Sequence, residues 1–313
     1  LISHLAMLKK SKKHRFFLYL PKREDIKLSE NFQIKILKWP FKKLWTQIRL
    51  SLEMLKNKPD VLFVPAHTFP IIHPRLVVVI QGLEYEAMPE TYSFLKRRVL
   101  RFLTKRNAKK AEKIIVPSEC TKRDLIKFYN INPSKIFVIH HGVEKTQNAK
   151  CKMQNNNSKL KKYILYLGTC HKRKNIEGLK MAFKTLKEKY KIEHELILAG
   201  ASDYVSEKKK RQLLKNADIF VYPSFYEGFG LPALEAQVAC VPVVASNTSS
   251  FPEILGDSAL LVNPQKPEEI GEAIYKIIKN PFLKQSLIKK GQENVKRFSW
   301  LKCVEETLKV IIL

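Results

Sequence analysis

The chain has 313 residues, 45% of them apolar and 10% aromatic, which is enough to build a large core and excludes wholesale disorder. It carries 58 Lys and Arg against 29 Asp and Glu, a formal charge of +29, which favours anionic partners such as phosphates, nucleic acid or an anionic membrane surface. No apolar run approaches the roughly 20 residues that span a bilayer, and the five Cys are odd in number, widely spaced and without a CxxC pair; this argues against a disulfide framework or a four-ligand zinc site and for a reducing compartment.

The first residues, LISHLAML, read as the middle of a helix with no signal sequence ahead of them, so the chain is expected to lack its natural start. Short β-branched runs then alternate with helical patterns. Strands are expected at 15–20, 61–64, 76–80, 113–116 and 136–139, and helices at 42–56, 92–111 and 120–128. The runs at 61–64 and 76–80 are almost continuously apolar, as strands buried on both faces should be. Residues 145–162 (KTQNAKCKMQNNNSKLKK) are polar and read as a linker. The pattern then restarts, with strands at 163–167, 195–199, 218–222, 241–245 and 259–262 and helices at 175–190, 232–239 and 267–278. Such alternation argues for parallel sheets covered by helices. The expected fold is α/β: two Rossmann-like domains, 1–150 and 151–313, facing a cleft, with the last helix packing back on the first domain. Ligands in such sheets sit beyond the carboxyl ends of the strands.

The charge is uneven. Residues 1–150 hold 31 Lys/Arg and 12 Asp/Glu, and residues 151–313 hold 27 and 17. Without a zinc finger, an RNP motif or a helix-turn-helix, nucleic acid is not an expected partner. Two basic segments, 35–56 and 92–110, interleave Lys and Arg with apolar residues. Their apolar sides are expected to pack on the domain's own sheet, with the basic rim left to touch anionic lipid.

The chemistry concentrates in VYPSFYEGFGLPALE, residues 221–235. A strand ends, a Pro-Ser turn follows, and two glycines flank Phe229 before Pro232 opens a helix. Glycines allow a ligand close to the backbone, Pro suits the first helical position, and free N–H groups at a helix start favour phosphate or developing negative charge. Glu227 before the helix and Glu235 within it are expected to address one ligand. A second cluster, Gly168 to Asn175, places Arg173 and Lys174 between a strand end and a helix start, where a diphosphate would lie.

The string Pro223-Ser224-x-x-Glu227-Gly228-Phe229-Gly230-Leu231-Pro232-x-x-Glu235-Ala236 resembles the Glu-x7-Glu signature of glycosyltransferase family 4, and the segments Val241–Ser246, Phe251–Glu253 and Gly256–Ala259 resemble the same family. The resemblance implies the GT-B fold and a retaining hexosyltransferase that moves mannose or glucose from a nucleotide diphosphate sugar to a glycan or lipid-linked acceptor, as in cell-wall or polysaccharide biosynthesis. It implies Glu227 as the catalytic carboxylate, Arg173, Lys174 and the backbone of Gly228, Phe229, Gly230 and Leu231 around the donor, and Glu235 on the ribose. It implies no metal and no cofactor; the cysteine usage and the basic amphipathic segments give the expectation of a cytoplasmic protein, peripheral on the inner face of the membrane. His67, Gln81 and Ser118 are the acceptor-side candidates, while His140 and His141 are expected to pack or to hydrogen-bond within loops.

Three departures set an alternative beside this expectation. The family's opening strand and Gly-rich loop have no counterpart ahead of Leu1. Gln81 and Gly82 stand where relatives often carry His-Asp. The stretch 199–203 runs directly into 204–207, where a helix and a strand usually intervene. The alternative is a non-catalytic remnant of the same fold, incomplete at the N-terminus and within the C-terminal domain. On the leading expectation, Glu227→Ala abolishes transfer with little loss of fold and Glu235→Ala mainly weakens nucleotide binding.

Overall fold

The computed structural model describes residues 1–24, 28–41, 44–65, 69–144, 162–201 and 203–313. The chain divides into two compact units. One comprises Leu1–Glu86, Tyr92–Gly142 and Ser299–Leu313, and the other Ala87–Thr91 and Val143–Phe298. The bulk of the expected linker, and His67, lie outside the described residues.

In the first unit the order is α1 (Ile2–Met7), β1 (Phe16–Leu20), β2 (Phe32–Ile36), α2 (Leu50–Lys56), β3 (Val61–Val64), β4 (Arg75–Val79), α3 (Glu84–Ala87), α4 (Phe94–Lys110), β5 (Lys113–Val116), α5 (Glu119–Tyr129) and β6 (Ile136–Val138). Strands β3-β4-β5-β6 form a parallel sheet in that order. The continuous apolar run in β4 works on both faces, because alternate side chains point opposite ways. Leu76 and Val78 join Ile114, Leu125 and Tyr129 in one core cluster, while Val77 and Val79 join Ile115, Val310 and Ile311 in another. The latter residues come from α12 (Trp300–Ile312), which belongs to this unit. A separate parallel pair, β1 with β2, stacks Phe16 on Phe32 at 4.5 Å; β2 is not expected from the sequence.

Two expected features differ. The helix expected at 42–56 is α-helical only from Leu50, because a wider π turn, Trp45–Arg49, precedes it. Its start is anchored by the Trp45 indole N–H, which donates to the Leu37 carbonyl at 2.8 Å. Helix α4 lays only part of its apolar residues on the unit: Leu100 packs against the core, Thr104, Asn107 and Ala108 are buried, and Phe94, Leu95, Val99 and Phe102 are exposed. Half-buried Arg97 and exposed Arg101 both pair with buried Glu86.

The second unit runs β7 (Tyr163–Leu167), α6 (Ile176–Tyr190), β8 (Glu195–Ala199), α7 (Glu207–Asn216), β9 (Ile219–Tyr222), α8 (Leu231–Val238), β10 (Val243–Ser246), α9 (Phe251–Leu255), β11 (Leu260–Val262), α10 (Pro267–Lys279) and α11 (Pro281–Asn294). Its parallel sheet has the order β11-β10-β9-β7-β8. Strands β9 and β10 are buried throughout, so truncating Phe220 to Ala would cost about 3–5 kcal/mol. Strand β8 lies at the edge. After it Gly200 turns the chain at φ +81 and Ser206 caps α7, with no strand between them among the described residues. Just ahead of β9, buried Asp218 receives hydrogen bonds from His194 (2.9 Å) and Lys284 (2.5 Å). Burial alone would raise its pKa, but His194 and Lys284 together hold it down to about 2. Among the described residues Cys120, Cys170 and Cys303 are free thiols.

Candidate functional site

Beyond the carboxyl end of β9 the chain enters a turn whose backbone is tied from several directions. The Phe225 N–H donates to the Arg173 carbonyl (2.8 Å), and the Thr248 hydroxyl donates to the Phe225 carbonyl (3.0 Å). The Glu227 N–H donates to Ser249 Oγ (3.0 Å), and the buried Ser250 hydroxyl donates to the carbonyls of Glu227 (2.9 Å) and Phe229 (3.0 Å). The loop after β10 thus acts as a clamp, which explains why small hydroxyl residues follow the VVAS strand. Gly230 caps α8 at φ +102, and an added Cβ would come within 2.7 Å of the Phe251 ring. Pro232 sits in the first turn of α8. A side chain at Gly230 is therefore excluded both by backbone conformation and by space.

This scaffold withdraws Glu227 from water, leaving it 8% exposed. Its Oε1 accepts from Arg173 Nη1 at 2.8 Å and from Lys174 Nζ at 2.5 Å. Both cations come from the single turn Lys172–Lys174 that follows β7, so the ends of two adjacent strands deliver the charges. Arg173 also donates to the Tyr226 carbonyl (2.9 Å). Lys174, itself buried, donates to the Tyr222 hydroxyl at 2.6 Å and lies 4.9 Å above that ring. Tyr222 lies close enough to Glu227 to feel its charge. Its phenol is pushed far above the ordinary value, by burial first and then by the Glu227 charge, so it keeps its proton. Asn175 then starts α6 in the left-handed region and accepts from the Gly178 N–H.

Glu235 has a different partner. Its Oε1 accepts from Lys210 of α7 at 2.8 Å, and Lys210 also pairs with Glu207 at 3.1 Å. Burial lowers the Lys210 pKa, but the bonds to Glu235 and then Glu207 outweigh it, and the net shift is upward. The two acidic residues of the motif therefore stand in separate ion clusters. Among the described residues no group of three or more His, Cys, Asp and Glu gathers as a metal site would require.

On the first unit, Gln81 follows β4 and its Oε1 lies 2.7 Å from His141 Nε2. Desolvation holds His141 down to about 4, so the ring is neutral at pH 7 and its N–H donates to Gln81. Ser118 is fully buried as the N-cap of α5, its Oγ accepting from the Thr121 N–H, so its hydroxyl serves the helix start. Tyr222 is the participant that sequence reasoning missed, because a Tyr at the end of a buried strand looks like core.

The model described as "Glycosyltransferase Family 4" matches residues 6–147 and that described as "Glycosyl transferases group 1" matches residues 202–294. The chain is 35% identical over 169 residues to O-antigen chain mannosyltransferase B of Escherichia coli, covering 47% of this chain and 44% of that protein. It is 27% identical over 277 residues to O-antigen chain mannosyltransferase RfbU of Salmonella typhimurium, covering 81% and 74%. The chain thus spans under half the length of the first of these relatives. Among solved structures, WaaG, a glycosyltransferase involved in lipopolysaccharide biosynthesis, superposes with a TM-score of 0.71 at 14% identity over 98% of this chain and 94% of that one. Anabaena HepE in complex with UDP and glucose gives 0.66 at 15% over 99% and 95%. With family models matching residues of both units, mannosyltransferase relatives and GT-B neighbours along its length, the chain belongs to the family 4 glycosyltransferases of GT-B fold.

Proposed function

We propose that the chain is a retaining hexosyltransferase that moves mannose or glucose from a nucleoside diphosphate sugar to a glycan or lipid-linked acceptor, acting in the cytoplasm at an anionic membrane surface. The observation that carries this reading is the buried Glu227 carboxylate held between Arg173 and Lys174. A buried charge is expensive unless paired, and here two cations share one carboxylate oxygen. The cluster therefore has an excess of positive charge suited to a diphosphate. When a diphosphate takes up Arg173 and Lys174, Glu227 loses part of its pairing and becomes free to face the positive charge that develops at an anomeric carbon as the leaving group departs. Tyr222 keeps Lys174 in place during that exchange. The cations supply the neutralisation, so the reading needs no divalent metal. Glu235, through Lys210, belongs to the ribose side. The names of the relatives, mannosyltransferases, support mannose ahead of glucose.

The alternative, a non-catalytic remnant, is favoured by one observation: β8 is a sheet edge and, among the described residues, leads into α7 without the helix and strand that usually intervene in the family. Incubation with GDP-mannose and with UDP-glucose, each with EDTA and with a lipid-linked glycan mixture, separates the two. Transfer that survives EDTA and leaves the anomeric configuration of the sugar unchanged in the NMR spectrum supports the enzyme. No turnover together with no nucleotide-induced thermal shift supports the remnant.

A further inference from the structure

Helix α7 reads EKKKRQLLKN. Lys210, Leu213, Leu214 and Ala217 follow the i, i+3, i+4, i+7 spacing of a single helix side. Leu214 and Ala217 are buried, and Leu213 packs against the core of the second unit. That pattern asks for an apolar side chain at position 210, and a lysine stands there instead. Lys208, Lys209, Arg211 and Lys215 of the same helix are exposed, whereas the Lys210 side chain keeps only 21% of its surface in water. A cation drawn that far out of water loses hydration and needs a partner. A break of the local pattern at such a cost is what functional positions show.

Lys210 Nζ donates to Glu235 Oε1 at 2.8 Å and pairs with Glu207 Oε2 at 3.1 Å. The two carboxylates keep it an ammonium with three N–H groups. Two of these are taken, so one N–H of Lys210 and the second oxygen of Glu235 stand close together with no partner among the described residues. Glu235 lies on α8, the helix that begins at the Glu227 turn, so the pair stands on the same scaffold as the diphosphate cations. A carboxylate alone would accept from an ammonium or an amide equally well. With a cation beside it, the pair repels positive groups and asks for one that donates and accepts at once. A hydroxyl does both: its proton goes to Glu235 and its oxygen receives the Lys210 N–H. Two hydroxyls on neighbouring carbons, as on a ribose, offer this twice, and a deoxyribose offers it once.

We propose that Lys210 is the residue by which this site selects ribose over deoxyribose, donating to a ribose hydroxyl oxygen while Glu235 accepts that hydroxyl's proton. The inference rests on the nucleotide-donor reading of the Glu227 site and names the specificity of its sugar pocket. The test is calorimetric titration of the full chain with GDP and UDP and with the 2′-deoxy and 3′-deoxy form of each. Wild-type protein is expected to bind a ribonucleotide and to lose about tenfold or more in affinity with at least one deoxy form. Lys210→Met keeps the length of the stem and removes the donor. It should bind the ribonucleotide about tenfold more weakly and the rejected deoxy form about as wild type does, so that the ratio falls towards one. Loss of a merely structural tie between α7 and α8 would weaken both sugars alike and leave the ratio standing. Lys210→Arg, which keeps a charged donor, should recover much of the ratio. Equal affinity of wild type for ribo- and deoxyribonucleotides, or a wild-type ratio in Lys210→Met, overturns the proposal and leaves the donor reading in place. Wild-type protein that binds no nucleotide overturns both.

Discussion

The turn that leads into α8 and the helix α4 treat charge in opposite ways. In the turn, Glu227 and Lys174 are buried, and every charge has an opposite charge within hydrogen-bond reach. Along α4, five cations stand in water beside four exposed apolar side chains. The difference teaches that net charge by itself assigns nothing. A Lys in water costs little and gains meaning from its apolar neighbours, whereas a buried Lys–Glu contact persists only where surrounding groups hold it. Strand β9 repeats the lesson internally, with the buried carboxylate Asp218 at its start and the Glu227 turn beyond its end. Both are ion-paired, but Asp218 meets His194 and Lys284 at the end of the sheet away from the glycine turn.

The comparison can be broken most directly at Glu227. Glu227→Gln keeps a hydrogen-bond acceptor and is expected to lower the transfer rate about 100- to 1000-fold in steady-state kinetics, with the melting temperature nearly kept. Glu227→Ala should in addition lose about 3 kcal/mol of stability, because it strands Arg173 and Lys174. That differs from the sequence expectation of little effect on the fold, for the reason that the carboxylate is buried. A wild-type rate in Glu227→Gln would end the catalytic assignment.

Asp218→Ala is the structural counterpart. It should cost about 3 kcal/mol in urea unfolding while leaving the donor KM alone. Because the folded Asp218 pKa is depressed to about 2, its contribution is present above the unfolded-state value and fades as pH falls from about 4 towards 2. The wild-type and variant stabilities should therefore converge across that acid window; a gap that stays constant would show that the carboxylate charge is irrelevant.

Glu235→Ala comes next, with an expected rise in donor KM of about tenfold and little change in kcat. Tyr222→Phe removes one hydrogen bond to Lys174, worth about 1 kcal/mol, and is expected to lower kcat several-fold while circular dichroism stays unchanged. Unaltered kinetics in Tyr222→Phe would reduce that residue to core. The smallest effect belongs to the other region: Leu95→Ser with Phe102→Ser should shift stability by less than about 0.5 kcal/mol per site, since neither side chain enters the core.

Much of this was legible in one dimension. Period-two and period-3.6 patterning places the strands of both sheets within a residue or two, since burial on both faces demands unbroken apolar runs such as LVVV in β4 and IFVY in β9. The glycine turn, Glu227, Glu235, Arg173 and Lys174 are legible because strand ends and helix starts constrain residue type locally. Strand β2 escaped, as its alternating FQIKI is short and half exposed.

What the sequence determined alone is the succession of strand and helix and the chemistry present at each strand end, because both depend on neighbours along the chain. What the tertiary structure decided is pairing across distance. It gave Glu227 to Arg173 and Lys174 but Glu235 to Lys210, recruited Tyr222 from a core strand to hold a cation, and turned α4 so that arginines face Glu86 and phenylalanines face water. Desolvation is the physical reason: which charge must find a partner depends on which surface folding buries, and no local pattern states that.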